Sequence, residues 1–141
     1  TIKYAQQLGI ATAMARHLKH LHQDLRRDKL YFAQERLQNF QVTYEMLAQP
    51  ETTTQCRALF ADQAVQIEQQ FQQAEALLPD IDRRAQLFGL TQIALWRAWL
   101  REISAEGYLL QEHQLQITPL RKLWIAWRTK KRAQRRNRLK L

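Results

Sequence analysis

The chain has 141 residues, 45% of them apolar, with one cysteine, Cys56, which is enough for one domain with a real core and too apolar for a disordered chain. A lone cysteine excludes an internal disulfide and fits a reducing, cytoplasmic setting, and no apolar run approaches the roughly 18–20 residues that span a bilayer. The net charge of +9 is unevenly placed: Arg121 to Leu141 hold ten Lys/Arg and no Asp or Glu, whereas the first 120 residues hold 12 basic and 13 acidic side chains.

Three glycines, three prolines, abundant Gln and few strand formers point to helices. No signal-peptide pattern opens the chain. Because it begins at Thr1, either a start Met is removed or residues precede this numbering. Leu8, Ala11, Met14, Leu18, Leu21 and Leu25 recur at spacings of three and four, an apolar seam on one helix face. The seam breaks phase across Asp24 to Lys29 and resumes as Leu30, Ala33, Leu37, Phe40, Tyr44 and Leu47. With no Gly or Pro between, the spacing predicts a near-continuous helix with a phase shift, the alternative being two helices meeting at a bend.

Gln49-Pro50-Glu51 breaks the pattern, and Thr52-Thr53-Thr54 supply an N-cap for the next helix. That helix buries Phe60, Ala64, Ile67, Phe71, Ala74 and Leu78 and leaves a Gln-rich face (Gln63, Gln66, Gln69, Gln70, Gln73) to solvent. A third helix is expected from about Ile81 to Ala105, with Phe88, Leu95, Trp99 and Ile103 on one stripe and Gly107 as its stop. Tyr108 to Ile117 reads as a loop or a short helix. Thr118-Pro119 then starts a last helix carrying Leu120, Leu123, Trp124 and Trp127 into the basic arm. Leu95-Trp96-Arg97-Ala98-Trp99 and Leu123-Trp124-Ile125-Ala126-Trp127 share one pattern, and together hold all four tryptophans.

Signals for catalysis are weak. His17, His20 and His22 stand close together, and Asp24 lies four residues after His20. They flank an apolar seam instead of converging, so they read as boundary histidines and not as metal ligands. His113 is isolated. Asp24/Asp28 and Asp80/Asp82 have Arg27, Lys29, Arg83 and Arg84 beside them and read as solvated helix-end pairs. Cys56 lies at a helix start, where a thiolate is favoured, but lacks a His or Asp partner nearby in sequence. No Gly-rich phosphate loop, Cys-x-x-Cys pair or nucleophile elbow is present. The residues therefore suggest no enzyme, no metal and no cofactor.

The arm points instead to a polyanion. Arg121, Lys122, Arg128, Lys130, Lys131, Arg132, Arg135, Arg136, Arg138 and Lys140 surround a helix almost completely after Trp127. Such a segment frays by self-repulsion and orders on phosphates, with a steep salt dependence. Trp124 and Trp127 either stack on unpaired bases or wedge the helix onto the bundle core. Arg97 and Arg101 extend the basic face. A membrane partner is disfavoured, since beyond Trp127 the arm offers only Ala133, Leu139 and Leu141 as apolar anchors. A loose solubilising tail is the plain alternative.

Three segments, Asp28-Lys29-Leu30-Tyr31-Phe32, Phe60-Ala61-Asp62-Gln63-Ala64-Val65-Gln66-Ile67-Glu68 and Trp96-Arg97-Ala98-Trp99-Leu100-Arg101-Glu102-Ile103-Ser104-Ala105-Glu106, resemble primosomal replication protein N″, the PriC family, in the same order along the chain. The sequence departs from that family at Ala98 and Trp99, where the family has Arg, and in its shorter spacings. The resemblance implies an all-helical, non-catalytic accessory protein of replication restart that engages single-stranded DNA and the single-strand-binding protein.

The expectation is thus an all-α protein, an antiparallel bundle of four to five helices over residues 1–118 with a basic helix or arm over 119–141. Its expected work is nucleic-acid binding, DNA preferred, with a homodimer possible. The rival expectation is a protein–protein adaptor whose arm holds an acidic segment, such as a single-strand-binding protein tail or a helicase.

Overall fold

The computed structural model describes residues 1–112 and 116–138, with side chains described through residue 135. Seven α-helices occur among the described residues: α1 (Ile2–Lys19), α2 (Leu21–Leu25), α3 (Gln34–Asn39), α4 (Tyr44–Ala48), α5 (Thr54–Ala76), α6 (Leu87–Ala105) and α7 (Pro119–Arg138). A single 3₁₀ turn covers Asp80–Asp82, and no strand is present among those residues. The protein is all-α, as composition demanded. His113 and residues 114 and 115, inside the stretch expected to be loop or short helix, lie outside the described residues.

The expected near-continuous first helix is corrected. Helical backbone is interrupted at His20 (φ −102°, ψ 17°), and the single turn of α2 ends at Arg26. Asp28 then adopts φ 54°, the left-handed conformation that stops a helix and that Asp tolerates better than most residues. The stop is closed by Lys29 N–H donating to the Asp24 carbonyl at 2.9 Å. Gln41 repeats the device at φ 54° after α3, and Val42 N–H donates to the Leu37 carbonyl at 2.8 Å. The seam residues still find the core: Leu18, Leu21, Leu25, Leu37 and Leu47 are all buried.

α5 is the central strut. Thr53 Oγ1 accepts from Cys56 N–H at 3.2 Å and caps its start. Phe60, Ala64, Ile67, Phe71, Ala74 and Leu78 are all buried, as periodicity required. They meet Tyr4, Ala11, Ala15 and Leu18 of α1 in one core. Each fully buried large apolar side chain contributes about 1.5–3 kcal/mol, so the α1–α5 seam is a principal source of stability.

α6 begins at Leu87 and not near Ile81, because Pro79 and the turn after it hold the chain out of a helix. Its buried stripe is Leu90, Ile93, Trp99, Leu100 and Ile103. Phe88, expected on that stripe, is 77% exposed. Gly89 sets the phase: a Cβ there would strike the Tyr4 hydroxyl and come within 3.0 Å of Leu8 Cδ2. The α6 backbone therefore rests directly on α1 and turns Phe88 outward. Gly107, at φ 72°, ends the element as expected, and its carbonyl accepts from Arg57 Nε at 2.8 Å. α7 packs chiefly on α6.

Candidate functional site

Where α1 passes the start of α6, an open trough of about 400 Å³ forms. Ala5, Gly9 and Ala13 supply its small-residue floor one turn apart, Leu8 and Phe88 its apolar walls. A Cβ on Gly9 would meet nothing within 4 Å, so this floor is open space and not a packed helix contact. Tyr4 also lines the trough. Its side chain is buried, and its hydroxyl has no hydrogen-bond partner. Burial, with the nearby Glu75 charge adding to it and Arg83 opposing, pushes the Tyr4 phenol above its ordinary range.

One helical turn further along α1 the surface changes character. A second concavity of about 310 Å³ is lined by Arg16, His17, His20, Asp24, Arg27 and Lys29, with Gln23 and Tyr31 at its edge. Three permanent cations here face one carboxylate, so the cavity carries a positive field. The left-handed turn at Asp28 bends the chain so that Arg27 and Lys29 line the same cavity as the end of α1. Tyr44 anchors this turn from α4, donating to the Leu25 carbonyl at 3.1 Å. His17 stacks on Tyr31 with ring centroids 3.6 Å apart, and its Nδ1 lies 3.6 Å from Asp24 Oδ2. Asp24 thus reaches His17 and not His20, as the spacing had suggested. Arg16 lines both concavities, joining an apolar trough to a cationic head. Among the described residues no group of three or more His, Cys, Asp and Glu converges in a way that could hold a metal ion.

Of the residues expected to bind a polyanion, Arg97, Arg101, Trp124, Arg128 and Arg132 line one groove between α6 and α7, and the other described ones lie elsewhere on α7. Arg97 faces inward to α5, with Nη2 at 2.8 Å from Glu68 Oε1 and Nη1 at 2.7 Å from Glu75 Oε2. Burial pulls its guanidinium down, but those two carboxylates outweigh it and hold it raised. Arg121 pairs with Glu102. Burial and, second, the charge of Lys122 lower the Lys19 ammonium. Arg101, Arg128 and Arg132 line a groove between α6 and α7. Trp124 and Trp127 are 53% and 54% exposed, so neither is core; the residues that seat α7 are Ile125 and Ala133. Arg128 lies 5.1 Å from the Trp124 ring centroid and Lys131 lies 4.0 Å from that of Trp127. Each indole is thus engaged by its own chain's cation. Lys130 and Arg135 are exposed on α7; Arg136 and Arg138 continue the helix, and Lys140 lies outside the described residues. The echoed pair differs: Trp99 is buried and stands edge-on to Trp96 at 5.8 Å.

Sequence reasoning missed Tyr4, Arg16 and the trough. The available signal is the crowding of Arg16, Lys19, Arg26, Arg27 and Lys29 around the three histidines, of which only Arg27 and Lys29 enter the sequence reading, as solvated helix-end charges.

The fold and this cavity define an all-helical protein with a two-part amphipathic pocket. The squalene/phytoene synthase family model matches residues 1–121, and the chain belongs to that family. Among solved structures, one described as the crystal structure of a dehydrosqualene synthase in complex with ligand superposes with a TM-score of 0.76. Sequence identity there is 22%, and the match covers 93% of this chain and 46% of that one. The likeness is one of fold, and the chain spans about half the length of that structure. No curated protein matches the chain.

Membership in this family overturns the resemblance to primosomal replication protein N″. With it fall the expected DNA-binding role in replication, the single-stranded DNA and single-strand-binding-protein partners, and the adaptor reading. The expectation of no enzyme is corrected as well, since the family is one of synthases. The physical reason is visible in the segments that carried the resemblance. In 60–68, Phe60, Ala64 and Ile67 are a buried helical stripe, a pattern that any helix packed on one face presents. No described helix is long and apolar enough to cross a membrane.

Proposed function

We propose that this chain forms the prenyl-diphosphate-binding part of an isoprenoid-synthesis enzyme. The observation that carries the reading is Arg16, which lines the apolar trough and the cationic cavity alike. A prenyl diphosphate has the matching division, an apolar chain ending in a multiply charged anion. Cavities that take up small molecules have volumes of about 300–1,000 Å³; the trough at about 400 Å³ falls in that range. Arg16, Arg27 and Lys29 meet the diphosphate, and Leu8 and Phe88 lie along the prenyl chain. Cations gathered there also stabilise the charge that builds on a diphosphate as its C–O bond breaks. Asp24 holds the His17 ring against Tyr31 at the edge of the head cavity.

We further propose that the four long helices α1, α5, α6 and α7 make the antiparallel bundle of four to five, a reading supported by the packing of α1 on α5 and of α6 on α7.

Equilibrium binding to the 141-residue chain tests the reading. Farnesyl diphosphate should bind, while farnesol and inorganic diphosphate each bind at least about tenfold more weakly, since each satisfies one end alone. Arg16→Ala should cost about tenfold or more, the loss of one charge-assisted contact. Equal affinity for farnesyl diphosphate and inorganic diphosphate would leave the trough without a role.

A further inference from the structure

α7 presents two faces of opposite purpose. Ile125, Thr129 and Ala133, one turn apart, face the bundle; Ile125 and Ala133 are buried and Thr129 is half-buried. Leu120, Leu123, Trp124 and Trp127 fall at i, i+3, i+4 and i+7, the opposite side of the helix. They are exposed by 79%, 68%, 53% and 54%. Four large apolar side chains in one outward stripe form a patch that a water-facing helix does not need. The second half of the helix continues as Lys130, Lys131, Arg132 and Arg135, all exposed. No acidic residue occurs from Arg121 onward.

We propose that this outward face of α7 docks on an anionic lipid surface, with the helix lying in the plane of the interface. Charge complementarity selects this occupant. A stripe of Trp and Leu bounded by Lys and Arg is the arrangement that sinks indoles to headgroup depth while cations reach lipid phosphates. The contacts already present are of that form: Lys131 and Arg128 lie over the two indoles, each a cation held at the level of an amphipathic ring. The α6–α7 groove places Arg101, Arg128 and Arg132 beside Trp124, where headgroup phosphates would sit. The apolar area that the arm lacks beyond Trp127 is supplied by the turns before it.

Co-sedimentation with vesicles tests this. The 141-residue chain should bind vesicles of mixed phosphatidylglycerol and phosphatidylcholine, and bind pure phosphatidylcholine at least about tenfold more weakly. Trp124→Ala with Trp127→Ala should reduce partitioning to the anionic vesicles by about tenfold or more. Leu120→Ser with Leu123→Ser should act in the same direction, and both variants should keep the helical circular-dichroism spectrum, since their side chains face outward. Unchanged vesicle binding by both apolar variants, with complete release at about 0.5 M salt, would show attraction by charge alone and overturn the docking geometry. Self-association of the chain without lipid, abolished by the tryptophan variant, would assign the stripe to a second copy and overturn it too. Oligonucleotide binding lost in that variant, with vesicle binding kept, would do the same in favour of nucleic acid.

Discussion

Tyr4 and Gly89 set the contact of α6 on α1 beside the trough, and Arg97 ties α6 to α5. The Tyr4 hydroxyl is buried without a partner in the protein, so removing it relieves a desolvation penalty. Tyr4→Phe should leave stability unchanged or raise it by up to about 1 kcal/mol in urea denaturation. The same phenol titrates above its ordinary value of 10.0 when folded. Its stabilising share is whole below the unfolded value and is lost as pH rises through the higher folded value. Stability should therefore fall above pH 10 in the wild type and fall less steeply in Tyr4→Phe. Gly89 has no room for a methyl group against Tyr4 and Leu8. Gly89→Ala should cost about 1–3 kcal/mol by overpacking and should loosen the trough. Arg97 joins α6 to α5 through Glu68 and Glu75 while each side chain remains a quarter to a third exposed. Solvent screens such a cluster, so Arg97→Met should cost only about 1 kcal/mol.

At the scale of elements, the break between α1 and α3 is what builds the cationic head. A continuous helix would send Arg27 and Lys29 away from Arg16. The left-handed turn at Asp28 (φ 54°) brings all three to one cavity. An L-residue in that conformation carries a steric cost that glycine avoids. Asp28→Gly should therefore raise thermal stability by about 0.5–1 kcal/mol, and Asp28→Val should lower it, as thermal unfolding can show. This turn also marks the limit of what the sequence tells. The α5 stripe from Phe60 to Leu78 and the stop at Gly107 were legible, because a 3.6-residue period and a glycine after it leave few alternatives. The turns at Asp28 and Gln41 were not, because left-handed Asp and Gln carry no local mark comparable to Gly or Pro. The same holds for the outward phase of Phe88, which follows from Gly89 resting on Tyr4, a contact 85 positions distant in sequence. Trp124 and Trp127 were ambiguous for a related reason. A stripe at helical spacing is apolar whether it faces a core or leaves it, and only the burial of Ile125 and Ala133 settles the direction.

For the whole molecule, charge and cavity belong to different places. The arm that dominates the net charge grows from α7, whereas the two-part pocket lies along α1 and the start of α6. Composition drew attention to the arm, and the fold moved the candidate chemistry to the other cationic cluster, one that no run of like charge announces. The α6–α7 groove is the competing cavity, since it also combines arginines with an apolar floor. A photoreactive prenyl diphosphate, cross-linked to the 141-residue chain and mapped by peptide mass spectrometry, separates the two. Labelling of the chain between Tyr4 and Ala13 or between Gln86 and Gln92, suppressed by excess farnesyl diphosphate, is the predicted result. Labelling confined to α7 and the facing side of α6 would place the ligand in the wrong cavity and contradict the account.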